Sequence, residues 1–418
     1  MHKIVVRGGR RLVGEVRVGG SKNAALPILF GGIVTGDVCV FTELPRVSDV
    51  LRALEILRCL GARICFLSGG AVRVDYSTVR SACPPAYLCS GIRGSTYLLG
   101  AMLTRFGRAV LPGAGGCDLG ERPIDQHLLG FAGLGATART VGESVTVEAS
   151  LPLVGCEIAL AMPSVGATAN LMIAAAAAHG KTVIRNAAAE PHVAALADFL
   201  CAAGAQIEGV GTSCITVTGV PALHGVHHRI IPDMIEAGTY LCLGAACGGP
   251  VRVCAVCPEH LAALCDLLLQ MGVRIEQGKD YVTASAPDGY CCANATTGPY
   301  PAFPTDLHPQ LTALFAVADR NGEGSVTETV FSSRFRYAEE LRRMGADVSV
   351  KGNTVKVTPK KLRAATLRAP DLRGGAALLI AALATNGKSE ITNAAQIARG
   401  YEHLEQKLRG IGADVCIY

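Results

Sequence analysis

Tryptophan is absent from the 418 residues, and aromatic side chains of all kinds make up 5%. With a formal net charge of only +5, the chain lacks the stacking faces and basic stripe of a nucleic-acid binder. Long apolar runs are missing too. Hydrophobic residues reach 50% and mean hydropathy is +0.35. Yet the runs are about a dozen residues long and broken by glycine, short of the roughly 20 needed to span a bilayer. No secretory signal pattern opens the chain. A disulfide framework is not expected either. The 17 cysteines are an odd number, and most, including Cys39, Cys65, Cys201 and Cys242, fall in helix or strand patterns, as reduced thiols acting as small hydrophobes do. Cys254-Ala-Val-Cys257 has metal-like spacing but no second pair. His224, His227 and His228 cluster on what reads as a surface hairpin. Neither group is expected to carry chemistry. These absences predict a cytoplasmic two-domain α/β protein with no membrane or nucleic-acid partner, no metal and no cofactor. The oligomeric state is left open, with a monomer among the options.

What is present is a repeat. An amphipathic helix runs into Gly-Ala, once Gly-Val, and then a short β-branched strand. This happens at Gly61, Gly135, Gly204, Gly272, Gly345 and Gly412, with spacings of 74, 69, 68, 73 and 67 residues. So regular a period means one supersecondary unit copied six times. Each glycine is expected to end its helix in a left-handed conformation. Upstream of each lies a second, Ala-rich helix without a polar face, such as ANLMIAAAAAHG, which predicts burial all round. The unit reads helix-strand-helix-strand-strand. The sixth copy lacks its last strand, whereas the first is preceded by a spare hairpin, about His2 to Val18, that is expected to complete it. Leu12-Val-Gly14 echoes Leu223-His-Gly225 at an offset of 211. The chain is therefore expected to form two lobes of three units, residues 22–231 in one and residues 1–21 with 232–418 in the other. It would cross between them near Lys22 and Asp233, where a ligand cleft is expected.

Singular features concentrate in LPGAGGCDLGERPIDQH, residues 111–127. Cys117 sits on this glycine-rich loop rather than in an apolar run. A thiol near Arg122 can act as acid or nucleophile, although Asp118 and Glu121 oppose that, and an ordinary turn with an incidental cysteine is the plain alternative. Lysine is scarce: the first 180 residues hold only Lys3 and Lys22. Lys22, in GGSKNAALP at the predicted crossing, suits a point charge on a phosphate or carboxylate; the alternative is a solvated residue ahead of a helix. The buried helices start with Ser21-Lys-Asn23, Ile92-Arg-Gly-Ser95, Pro163-Ser-Val-Gly166, Phe303-Pro-Thr-Asp306 and Asp371-Leu-Arg373. Such N-termini attract anions through unpaired N–H groups. With Arg93, Arg122, Arg373 and Arg399, they would suit a polyanionic ligand such as a sugar nucleotide together with a phosphorylated acid.

GGSKNAALPIL, GGCDLGERPIDQH, PSVGATAN, IEAGTY, FPTDL, TETVFSSRF, DLRGG and RGYEHLEQKL run in order along essentially the whole chain, and together they resemble the UDP-N-acetylglucosamine enolpyruvyl transferases. The resemblance implies an α/β fold, a two-lobed inside-out barrel of six βαβαββ repeats. It implies transfer of the enolpyruvyl group of phosphoenolpyruvate to the C3 hydroxyl of UDP-N-acetylglucosamine with release of phosphate, the first committed step of peptidoglycan synthesis. Cys117 would protonate the methylene carbon of phosphoenolpyruvate and can form a thio-adduct with it. Asp306 would take the proton from the sugar hydroxyl; removing it is expected to stop turnover with little change in melting temperature. Lys22, Asn23, Arg122 and Arg399 would hold phosphoenolpyruvate. Arg93, Arg122, Pro123, Ile124, Asp125, Gln126, Ser164, Val165, Gly166, Asp306 and Val330 would hold the sugar nucleotide. Asp371 and Arg373 would support the closed site. The resemblance also implies that the epoxide fosfomycin alkylates Cys117.

Some positions depart from the family's commonest pattern. Met234 and Met162 stand where arginine and lysine occur in relatives, Ala398 and Ala169 where acids occur, and Gly113-Ala114 alters the start of the Cys loop. These bear on phosphate affinity and loop closure rather than on reaction class. Two alternatives remain. An enolpyruvylshikimate-phosphate synthase-like transferase would share donor and fold but lack Gly115-Gly116-Cys117. A non-catalytic repeat scaffold would not carry Lys22, Cys117 and Asp306 in one repeat each.

Overall fold

The computed structural model describes residues 2–113, 115, 123–320 and 322–418. Contacts divide them into two compact units. One holds the residues up to Gly19 together with Pro232–Tyr418; the other holds the described residues from Gly20 to Ile231. Each contains three sheets.

The third repeat shows the unit in full. Strand Glu157–Ala159 leads to helix Val165–Ala175, strand Lys181–Arg185, helix Pro191–Ala202 and strands Gln206–Glu208 and Cys214–Thr218. Lys181–Arg185 pairs parallel with the first strand and antiparallel with the last. The pattern is βαβαββ. The resemblance implied this leading edge strand, but periodicity did not reveal it, because it is three residues long and has no alternating signature of its own. Among the described residues the second repeat's sheet has three strands, and Val110 N–H donates to Ala82 C=O at 3.2 Å where the edge strand would run.

All six repeat glycines have φ between +90° and +107°. At Gly61, its N–H donates to Arg58 C=O at 2.9 Å and Ala62 N–H to Leu57 C=O at 2.9 Å. The same pair of bonds closes the other five helices, so one left-handed cap is repeated six times.

Three apolar helices pack together inside each unit: Lys22–Gly31, Leu98–Phe106 and Val165–Ala175 in one, Met234–Ala246, His308–Ala316 and Leu372–Ala384 in the other. Ala167–Ala175 and Leu372–Leu383 are buried at every position, as the missing polar face predicted. Ala169, 1% exposed, fills a place where an acid would be a buried charge.

The N-terminal segment is not a hairpin. Lys3–Gly8 does complete the sixth sheet, antiparallel to both Gly387–Thr392 and Asp414–Ile417. Gly14–Arg17 instead runs parallel to Val251–Cys254 in the fourth repeat's sheet, where that ladder and the Val18 N–H to Cys254 C=O bond satisfy its backbone. The echo 211 residues later marks the equivalent element: His227–Arg229 runs parallel to Val38–Thr42. The three histidines are therefore not on a surface hairpin, and half-buried His228 sits edge-on to Phe199 with centroids 5.5 Å apart.

Candidate active site

In the unit containing Lys22, the helix starts Lys22–Gly31 follow a serine cap, whose hydroxyl accepts from Ala24 N–H at 3.4 Å. Lys22 is not a solvated lysine. Its side chain is 12% exposed and its Nζ lies 3.1 Å from Oδ2 of Asp49, which is 5% exposed. Asp49 comes from the first turn of helix Ser48–Cys59. Two helix starts thus meet in one ion pair, which orders a long side chain and partly neutralises it. Asn23 is half-buried beside it.

A second cluster lies in the same unit. Ser164 caps helix Val165–Ala175 by accepting from Ala167 N–H at 3.3 Å. Gln126, in the first turn of helix Asp125–Gly133, accepts from Met162 N–H at 3.4 Å. Met162 is 61% exposed. Pro123 and Asp125 are exposed and Ile124 half-buried. Between these elements lies His127, which the sequence reading passed over. A Cβ on Gly166 would lie 2.8 Å from His127 Nε2, so only glycine lets the imidazole seat against this helix start. Burial first, then the charge of Arg93, pushes the ring down to about 4. Neither nitrogen has a hydrogen-bond partner among the described residues. His127 is thus a neutral, buried, unsatisfied imidazole. The cluster joins Arg93, Gln126, Ser164 and Gly166.

This has a measurable consequence. A folded-state histidine pKa below the unfolded value of about 6.5 means that the unfolded chain binds the proton first as pH falls. His127 therefore favours folding fully above about pH 7, and that contribution is lost as pH drops toward 4, by up to roughly 3 kcal/mol. Urea midpoints measured at pH 7 and 4.5 should fall further for the wild-type chain than for His127→Asn.

In the other unit, Asp306 lies on the turn Thr305–Leu307 ahead of helix His308–Ala316. It is not a helix cap, for neither element has a side-chain cap bond. Its carboxylate instead accepts from two buried guanidiniums. Arg334 Nη2 reaches Oδ1 at 2.9 Å, and Arg373 Nε and Nη2 reach Oδ2 at 3.2 and 3.0 Å. Arg334 and Arg373 are 3% and 4% exposed, the Asp306 side chain 25%. Burial opposes the Arg373 charge, but Asp306 outweighs it and keeps the guanidinium protonated well above its ordinary value. Removing Asp306 would strand two buried cations. Asp306→Ala is therefore expected to melt lower than the wild-type chain, against the sequence-based expectation of an unchanged melting temperature.

Asp371 caps helix Leu372–Ala384, its Oδ1 accepting from the N–H groups of Arg373 and Gly374 at 2.9 Å each. This corrects the expectation of an anion site there, because the carboxylate already occupies those donors. Arg373 Nη1 has no hydrogen-bond partner among the described residues. Arg399 ends the turn Ala394–Arg399, half-buried, its Nη1 donating to Gln396 at 3.2 Å. Val330 is 44% exposed, with its N–H given to Glu328 at 2.8 Å. Met234 opens helix Met234–Ala246 behind the Asp233 cap and lines a cavity with Tyr300, Pro304 and Leu307. Cys117 and Arg122 lie outside the described residues. So the structure joins Asp306, Arg373 and Asp371 directly. Arg334, which the sequence reading had not singled out, completes that group.

A sequence model of EPSP synthase (3-phosphoshikimate 1-carboxyvinyltransferase) matches residues 6–408. UDP-N-acetylglucosamine 1-carboxyvinyltransferase 3 of Caldanaerobacter subterraneus subsp. tengcongensis is 42% identical over 416 residues, 99% of each chain. A UDP-N-acetylglucosamine 1-carboxyvinyltransferase of Halothermothrix orenii is 42% identical over 415 residues, again 99% of each. Among solved structures, the enolpyruvyl transferase NikO from Streptomyces tendae superposes with a TM-score of 0.89 at 30% identity, covering 99% of this chain and 98% of its own. EPSP synthase from Acinetobacter baumannii, 20% identical over 100% of both chains with a TM-score of 0.74, shares the fold.

Proposed function

The chain belongs to the EPSP synthase family of enolpyruvyl transferases, and within that family we propose that it is a UDP-N-acetylglucosamine 1-carboxyvinyltransferase. It transfers the enolpyruvyl group of phosphoenolpyruvate to the C3 hydroxyl of UDP-N-acetylglucosamine and releases phosphate. This is the first committed step of peptidoglycan synthesis, and so of cell wall biogenesis, on which cell shape and division depend. The observation that carries the reading is 42% identity along 99% of both chains to enzymes of that name. No helix among the described residues is long and apolar enough to cross a membrane; the proposal places the protein in the cytoplasm, where both substrates are made.

The residue roles belong to the proposal. The sugar hydroxyl adds to C2 of phosphoenolpyruvate while Cys117 delivers a proton to the methylene carbon. The tetrahedral adduct then loses phosphate and a methyl proton, which restores the double bond. Lys22, Asn23, Arg122 and Arg399 hold the donor's phosphate and carboxylate and stabilise the charge of the adduct. Lys22 suits this because its pairing with Asp49 fixes the ammonium before the donor arrives. Arg93, Arg122, Pro123, Ile124, Asp125, Gln126, Ser164, Val165, Gly166 and Val330 hold the sugar nucleotide. Asp306 takes the hydroxyl proton. Arg334 and Arg373 hold that carboxylate in a fixed orientation. Asp371 and Arg373 keep Asp306 in place.

The name of the matching family model favours a second reading, with shikimate 3-phosphate as acceptor. Phosphate release from phosphoenolpyruvate separates the two. UDP-N-acetylglucosamine should drive it and shikimate 3-phosphate should not; the reverse result would favour the second reading.

A further inference from the structure

Glu328 is 3% exposed and has no partner among the residues assigned a role above except Val330. Its carboxylate nevertheless has five polar partners. Oε1 accepts from Thr297 Oγ1 at 2.9 Å, Val330 N–H at 2.8 Å and Phe331 N–H at 3.2 Å. Oε2 accepts from Thr305 Oγ1 at 2.8 Å and faces His308 Nδ1 at 2.9 Å. Burial alone would raise its pKa. The hydrogen bond from His308 and the amide of Val330 outweigh that and hold it below the ordinary carboxylate range. Burial lowers His308, while Glu328 opposes that shift. Behind it, His308 Nε2 meets Tyr337 OH at 2.9 Å, and Tyr337 OH meets Thr312 Oγ1 at 2.8 Å.

We propose that Glu328 is a positioning residue for transfer: through the Thr305 hydroxyl it fixes the turn that aims Asp306, and through its own chain's amide it fixes Val330. The inference rests on the functional reading above, because it is the role of Asp306 that makes the placement matter. The turn is held from two sides. Glu328 grips the Thr305 hydroxyl, while Arg334 Nη1 takes the Thr305 carbonyl at 2.9 Å and the same guanidinium holds Asp306. Those arginine bonds, with Arg373 on the same carboxylate, hold the Thr305 carbonyl and Asp306 but leave the Thr305 side chain free to turn. The Thr305–Glu328 bond, anchored to the sheet at Thr297 and to the next helix at His308, removes that freedom. A displacement of about 1 Å at a reacting group costs on the order of 100-fold in rate, so one buried hydroxyl can matter for turnover without touching substrate.

Glu328→Gln would also disturb His308 and Thr297 and is prone to misfolding, so the decisive variants are at Thr305. Thr305→Val keeps the shape and the backbone carbonyl but removes the bond to Glu328; Thr305→Ser keeps the bond. Steady-state transfer from phosphoenolpyruvate to UDP-N-acetylglucosamine is measured for both, with unfolding midpoints alongside. The expected result is a kcat for Thr305→Val lower by about 10- to 100-fold, with KM for the sugar nucleotide within about twofold and Thr305→Ser near wild type. A merely structural role would lower the midpoint and the active fraction together and leave kcat per folded molecule unchanged. That outcome, or a Thr305→Val enzyme within twofold of wild-type kcat, or a serine variant as impaired as the valine, overturns the positioning role alone. A wild-type chain inactive on UDP-N-acetylglucosamine overturns the functional reading and this inference with it.

Discussion

Asp306→Asn should lose turnover by roughly 10²- to 10⁴-fold, the usual contribution of a positioned acid or base, while remaining folded. Asparagine keeps the size of the side chain and one carbonyl acceptor for Arg334 or Arg373 but cannot take a proton. Alanine is a poorer test, because it leaves two guanidiniums, each under 5% exposed, without their shared counter-charge. The asparagine variant should melt somewhat lower than wild type, since it too gives up the ion pairs. Assays well below that melting temperature separate chemistry from folding. KM for UDP-N-acetylglucosamine should change far less than kcat. An Asp306→Asn enzyme with near wild-type kcat would reduce Asp306 to a counter-ion for Arg334 and Arg373.

Fosfomycin should modify one thiol in each chain, Cys117, and do so faster in the presence of UDP-N-acetylglucosamine, because Arg122 is assigned to both the donor and the sugar nucleotide. Most other cysteines fall in helix or strand patterns, and burial protects many of them. Burial pushes the thiols of Cys89, Cys242 and Cys247 up to about 12 and those of Cys265 and Cys292 to about 11, where the reactive thiolate is scarce. But Cys59, Cys65, Cys83 and Cys201 are exposed. Cys65 and Cys201 fall on an edge strand and near a helix end, where an apolar pattern does not guarantee burial. Selectivity must therefore come from recognition of the phosphonate. A general alkylating reagent should label the exposed thiols as well; fosfomycin should not, and Cys117→Ser should abolish its mark. Peptide mass mapping reads the result. Equal labelling of several cysteines, or indifference to the sugar nucleotide, would make the loop at Cys117 an ordinary turn.

The repeat was legible because each copy puts a glycine where a helix must turn left-handed, and no other residue does so cheaply. Apolar helices such as Val165–Ala175 were legible because composition alone shows that they have no face for water. The edge strands Glu157–Ala159, His227–Arg229, Asn294–Thr296 and Thr366–Arg368 were not, since three residues carry no period. Gly14–Arg17 was misread for a related reason: nearness in sequence suggested a hairpin, whereas its partner lies more than 200 residues away. The site divides in the same way. Lys22 and Asp306 stood out by type and motif. Arg334 and Glu328 lie in TETVFSSRF and His127 in RPIDQH, in plain view, but each acts through partners that only folding supplies. Arg334 meets Asp306 28 residues away, Glu328 meets Thr297 31 away, and Arg373 meets Asp306 67 away. No local pattern encodes those distances.

The most direct test of the central claim is the structure of the product formed in D₂O from phosphoenolpyruvate and UDP-N-acetylglucosamine, read by NMR. An enolpyruvyl ether on the C3 oxygen of the sugar, with solvent deuterium in its methylene group and one phosphate released per ether formed, is the predicted result. It would show the acceptor, the attacking oxygen and protonation of the methylene carbon in one spectrum. Failure to form the ether, while shikimate 3-phosphate is converted under the same conditions, would contradict the account.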